Sequence, residues 1–202
     1  TIGAFFFSLV VLLWARVRGI PWKQIRIDIG WNTGSGFFKE FIMGFFGYAM
    51  MLPILCVGIL ITLLLFLIQN FASSESNPFS GTSSGTHPII VDIANGGWDV
   101  RIVLVLLAAV AAPVIEETMF RGVLYRQLRT SIQPVGQALS IILSVLLTSF
   151  LFAAIHPQGW VAIPALMGIA VAMNLMREWR GSLLPSMMVH GLSNGIVMTM
   201  MI

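Results

Sequence analysis

The chain alternates long apolar runs with short polar segments, and this pattern limits its fold more than any other feature. About 20 predominantly apolar residues cross a bilayer as a helix. Six runs approach that length: Ile2 to Trp14, Phe41 to Phe71 with Pro53 inside, Ile102 to about Leu128, Ala138 to Ile155, Trp160 to Met176 and Leu183 to Ile202. Only 9% of the residues are charged, against roughly 25% in soluble proteins, so a water-facing surface cannot be covered. In lipid every backbone N–H and C=O must find a partner inside the protein, and runs of this length do so as helices. The expected fold is an all-α, polytopic transmembrane helix bundle of about six spans, with membrane lipid as its surrounding partner. No internal repeat is visible.

Charge placement supports that count. With strict alternation, segments 15–40, 121–136 and 177–182 share one side and hold ten of the eleven Lys and Arg residues; only Arg101 falls elsewhere. The positive-inside rule puts those three segments in the cytoplasm. Residues 72–100 then face the other side as a long loop rich in Ser, Gly, Asn and Pro, with Glu75, Asp92, Asp99 and the solvated His87. Trp98, Trp160 and Trp179 flank spans, as interfacial anchors do. The chain starts at Thr1 with basic residues after its first apolar run, so a piece of a longer chain without a cleavable signal is expected.

Several function classes drop out. The single Cys56, set in an apolar run, forms no internal disulfide and has the surroundings of an inert thiol. The net charge of +3 lies in short inter-helix segments with no pattern of interleaved stacking aromatics, which gives no nucleic-acid surface. Oligomeric state leaves no signal.

An ionisable residue inside a span is costly and marks function by default. The third run reads Ala112-Pro113-Val114-Ile115-Glu116-Glu117-Thr118-Met119-Phe120-Arg121. Adjacent helical residues point about 100° apart, so the two carboxylates are not expected to face one partner. Glu117 and Arg121 stand in the favourable i,i+4 order for an ion pair, which leaves Glu116 to face the interior. The plainer alternative is a solvated helix end. Pro113 frees a carbonyl one turn upstream. The fourth run ends at His156, with Phe152 one turn before it; alone, this could be an interfacial histidine. The last run places His190 and Asn194 on one face, where interhelical hydrogen bonding is the plainer reading. Gly191 and Gly195 beside them suit close helix approach.

Convergence of these groups into one pocket satisfies all of them at once. A carboxylate and a neutral His can share a water, and a second His with an Asn can stabilise an oxyanion. Glu with two His is equally a catalytic Zn²⁺ ligand set, namely Glu116, His156 and His190. Spacing alone leaves both open. Depth fits poorly: His156 lies about 27 Å along its helix and His190 only about 12 Å along its own. No His-Glu-x-x-His, intramembrane Asp pair or Gly-x-Ser-Gly occurs.

The series Glu116-Glu117-xxx-Arg121, Phe152-xxx-His156 and His190-xxx-Asn194 resembles the motifs of the CPBP family, which includes type II CAAX prenyl endopeptidases, bacteriocin-processing and immunity proteins and lysostaphin-resistance-A-like proteins. The resemblance covers roughly residues 100–200. It implies a catalytic helix core over 100–202, preceded by N-terminal transmembrane helices and the 72–100 loop over 1–99. It further implies an intramembrane endopeptidase for a membrane-associated, CAAX-type peptide or protein. Glu116 then activates water with His156, Glu117 and Arg121 support them, and His190 and Asn194 stabilise the oxyanion. Both Zn²⁺-dependent and metal-free glutamate mechanisms are compatible. The alternatives are a non-catalytic immunity or scaffold protein of the same fold, and a proton-coupled transporter, against which the lack of a repeat counts.

Overall fold

In a computed structural model, residues 7–72 and 96–200 are described, and every regular element among them is helical. The bundle is all-α. In chain order the helices are α1 (Ser8–Val17), α2 (Trp22–Ile29), α3 (Phe37–Ala72), α4 (Trp98–Val135), α5 (Gln137–Ala154), α6 (Ile163–Arg180, entered by the short turn Trp160–Ala162) and α7 (Leu184–Thr199). Most of the expected 72–100 loop, with Glu75, His87 and Asp92, lies outside the described residues.

Four of these helices are long and apolar enough to cross a membrane: Phe37–Phe71, Trp98–Val135, Gln137–Ala154 and Trp160–Arg180. The first and last of the six expected spans are shorter among the described residues, as Ser8–Val17 and as the 16-residue α7. The third run is longer than its hydropathy indicates, because polar residues after Glu116 extend the same helix to Val135.

Helix α2 is amphipathic. Ile25 and Ile29 are buried against Leu12 of α1, while Lys23 and Arg26 stay exposed. Gly30 ends α2 at φ +86°, a left-handed conformation that L side chains adopt at a cost. The resulting turn aims Trp31 at α4, where its indole N–H donates to Thr118 Oγ1 at 2.8 Å.

The core draws on α3, α5, α6 and α7 through Met51, Phe152, Ala170, Ala172, Met173 and Val189. The outer face of α3 carries exposed Leu60, Leu64 and Phe66, as a lipid-facing surface requires. At one end of the bundle the basic segments meet. Arg180 pairs with the buried Glu40 at 2.6 Å, Arg126 with Asp28 at 2.8 Å and Arg129 with Glu178 at 3.0 Å. Segments 15–40, 121–136 and 177–182 therefore lie together.

The depth mismatch also has a physical source. Helix α4 runs on well past Arg121 before it turns, so α5 starts far from the level of Glu116 and needs its full length to return. Helix α7 starts nearer that level, where the Leu183 N–H donates to the Gly30 carbonyl at 3.0 Å.

Candidate active site

The site is built on an irregularity in α4. Residues Leu107–Ala111 and Thr118–Leu124 are wound as π-helix, and between them Ala112–Glu117 is ordinary α-helix. Such wide turns occur often at functional positions. The Ala112 N–H donates to the Leu107 carbonyl, five residues back, and Pro113 has no N–H to give. The Ala108 carbonyl takes its hydrogen from another helix: Asn194 Nδ2 donates to it at 2.8 Å. Gly191, one turn earlier on α7, lies against the same segment. A Cβ there would sit 2.5 Å from the Ala109 carbonyl oxygen, so the close approach requires glycine.

The polar residues of three helices converge here. Glu117 and Arg121 are fully buried and joined at 2.9 Å. Arg121 also donates to the Ala170 carbonyl at 3.3 Å, and its guanidinium lies 4.4 Å from the centre of the Phe152 ring. The same Glu117 oxygen accepts from His190 Nδ1 at 2.9 Å. The other ring nitrogen of His190, Nε2, stands 3.7 Å from Glu116 Oε2, and His156 Nε2 stands 3.9 Å from that oxygen. The two adjacent carboxylates thus share one partner after all. An imidazole has nitrogens on opposite edges, so groups about 100° apart on one helix can each reach one.

Hydrogen-bond partners constrain the tautomers. His156 Nδ1 lies 2.6 Å from the Phe152 carbonyl, which only accepts, so Nδ1 carries the hydrogen. His190 Nδ1 likewise faces a carboxylate. In their neutral forms both rings then turn an Nε2 lone pair toward Glu116. Glu116 Oε2 is buried and has no hydrogen-bond partner among the described residues. Two lone pairs and a carboxylate oxygen form an acceptor cluster suited to a water molecule, a proton or a cation.

By donor type the trio fits Zn²⁺, with the Phe152 carbonyl and Glu117 as the outer hydrogen-bond acceptors that metal-bound histidines commonly have. By spacing, no group of three His, Cys, Asp or Glu among the described residues is arranged to hold an ion.

Glu116, Glu117, Arg121, His156 and His190 are brought together directly, while Asn194 reaches the site through the backbone of α4. Residue spacing had not marked Ala108 and Ala170, whose contribution is a carbonyl. Phe152 stood out only as a neighbour of His156. Its ring lies 4.3 Å from the His156 ring and 5.7 Å from the His190 ring, so it wedges the two histidines and Arg121.

Residues 98–196 match the family model described as Type II CAAX prenyl endopeptidase Rce1-like. No curated protein and no solved structure matches the chain. The matched segment runs from the first turn of α4 into α7 and contains every residue of the site just described. Over residues 98–196 the chain is thus similar to the Rce1-like type II CAAX prenyl endopeptidases, a likeness that supports, in general terms, a CAAX-type intramembrane protease.

Proposed function

We propose that this chain hydrolyses a peptide bond in a membrane-associated, CAAX-type substrate with a water activated by Glu116. The observation that carries the reading is the position of Glu116 Oε2, unpartnered and facing the Nε2 atoms of both His156 and His190. A water held by Glu116 and His156 gives its proton to the carboxylate as its oxygen attacks the scissile carbonyl. With a hydrogen on Nε2, His190, braced by Glu117 at Nδ1, donates to the resulting oxyanion. Asn194 holds α7 against the wide turn of α4 and has a second amide hydrogen to offer. Collapse of the intermediate breaks the C–N bond, and Glu116 returns its proton to the leaving amine. The clustering of segments 15–40, 121–136 and 177–182 supports a cytoplasmic position for that end.

If Zn²⁺ takes part, Glu116, His156 and His190 are its ligands, and it would acidify the water in place of the carboxylate. The test is cleavage of a quenched-fluorescent prenylated peptide by the protein in detergent, beside Glu116→Ala and with chelator. Turnover that is lost in the variant but survives the chelator supports the glutamate route. Loss to the chelator with rescue by Zn²⁺ supports the metal route. No turnover of prenylated or leader peptides by folded protein favours the non-catalytic scaffold role.

A further inference from the structure

Hydrolysis inside a bilayer needs water, and a second polar feature of the bundle bears on its supply. On α5, Ser140, Ser144, Thr148, Phe152 and His156 recur every fourth residue and so line one face. Ser140, Ser144 and Thr148 are fully buried, as are Ser149 on the same helix and Asn174 on α6.

The outer end of this row is bonded, and its middle is not. At the outer end Ser140 Oγ donates to the Arg129 carbonyl at 3.1 Å, beside the Arg129–Glu178 pair. Those two side chains are 20% and 29% exposed, so the row ends in contact with solvent. In the middle, Ser144 Oγ, Thr148 Oγ1 and Asn174 Oδ1 are buried without a hydrogen-bond partner. The Asn174 amide is held by its nitrogen, which donates to Ser149 Oγ at 3.0 Å. At the inner end Arg121 Nε is also buried and unpartnered. Its neighbours fix the register. Phe152, whose ring faces Arg121, is one turn from Thr148, and Ala170, whose carbonyl accepts from Arg121, is one turn from Asn174. Three unpaired polar atoms thus lie between the solvent-touching pair and the unpaired Nε of the buried Arg121. Buried polar groups almost always have partners, and when protein supplies none, ordered water does.

We propose that the α5–α6 seam holds a file of ordered water molecules from the Arg129–Glu178 end, past Ser144, Thr148 and Asn174, to Arg121, and that this file feeds water to the catalytic chamber. The supply role rests on the hydrolytic reading above; the existence of the file does not.

X-ray radiolysis in H₂¹⁸O, read by mass spectrometry, separates the two. Hydroxyl radicals born from bound water label adjacent side chains. Met173 and Phe152, 0% and 2% exposed, are shielded from bulk radicals. The expected result is ¹⁸O incorporation at both in the wild-type protein. The near-isosteric variant Ser144→Ala/Thr148→Val loses most of it, with kcat lowered several-fold and KM unchanged. Background labelling in the wild type overturns the file, whether or not a substrate has been found and whether or not the variant folds. Labelling that persists in the folded variant overturns the residue assignment. Labelling lost with kcat unchanged overturns the supply role.

Discussion

His190 Nδ1 and Arg121 both bind one oxygen of Glu117, each at 2.9 Å, so the charge that balances the arginine also orients the histidine. Replacing one member of a buried ion pair leaves the other uncompensated and costs about 3–5 kcal/mol. Arg121→Met is therefore expected to lower thermal stability sharply in detergent. The double variant Glu117→Leu/Arg121→Met should recover most of that loss yet show no turnover, because His190 has lost its acceptor. A double variant as unstable as the single one would mean the pair is not the source of the effect.

Glu116 behaves in the opposite way. Its buried oxygen has no hydrogen bond to lose, so Glu116→Gln should change stability by less than about 0.5 kcal/mol. Removing a general base should lower kcat by about 10²–10⁴-fold. Unfolding and turnover measured on one preparation check this, and a large stability loss would place Glu116 among the structural residues.

The two glycines of α7 make a matched pair. A Cβ at Gly191 meets the Ala109 carbonyl oxygen at 2.5 Å, whereas one at Gly195 meets the Ala109 Cβ at 3.5 Å, an ordinary contact. Gly191→Ala should cost about 1–3 kcal/mol as overpacking and lower turnover by pushing His190 away from Glu117. Gly195→Ala should be close to neutral in both assays.

Asn194→Ala leaves the Ala108 carbonyl without its interhelical donor, at a cost of about 1–3 kcal/mol. Pro113→Ala restores an N–H at the position five residues on, where a π-turn can use it. The cost of Asn194→Ala should then shrink in the Pro113→Ala background. A double-mutant cycle reads that coupling directly, and strict additivity would deny that Pro113 and Asn194 act on one carbonyl.

Local relationships were legible in the sequence. The i,i+4 order of Glu117 and Arg121 appears as an ion pair at 2.9 Å, and the expected helical bundle is present. What spacing could not show depends on backbone shape and on side chains with two binding edges. Nothing in a 3.6-residue period predicts wide turns on both sides of Glu116, so the use of Asn194 on a backbone carbonyl was hidden. The rule that neighbouring carboxylates diverge is sound for a point-like partner and fails for an imidazole. The six-span count rested on apolar length; among the described residues four helices are long and apolar enough to cross a membrane, and the third run was understated, because charged residues continue α4 to Val135.

A wide turn takes up one residue more than the α-turn it replaces, so each one absorbs an insertion without rotating the helix beyond it. Helix α4 carries such a slack residue on either side of its glutamates. Deleting one residue within 107–111 would straighten the helix there and keep its faces in phase, at the expense of the carbonyl that α7 grips. Deleting one within 112–117 would swing the two flanks about 100° out of phase and carry the acidic pair off its histidines. Tolerance to a change in chain length should therefore alternate sharply along a dozen residues of one continuous helix.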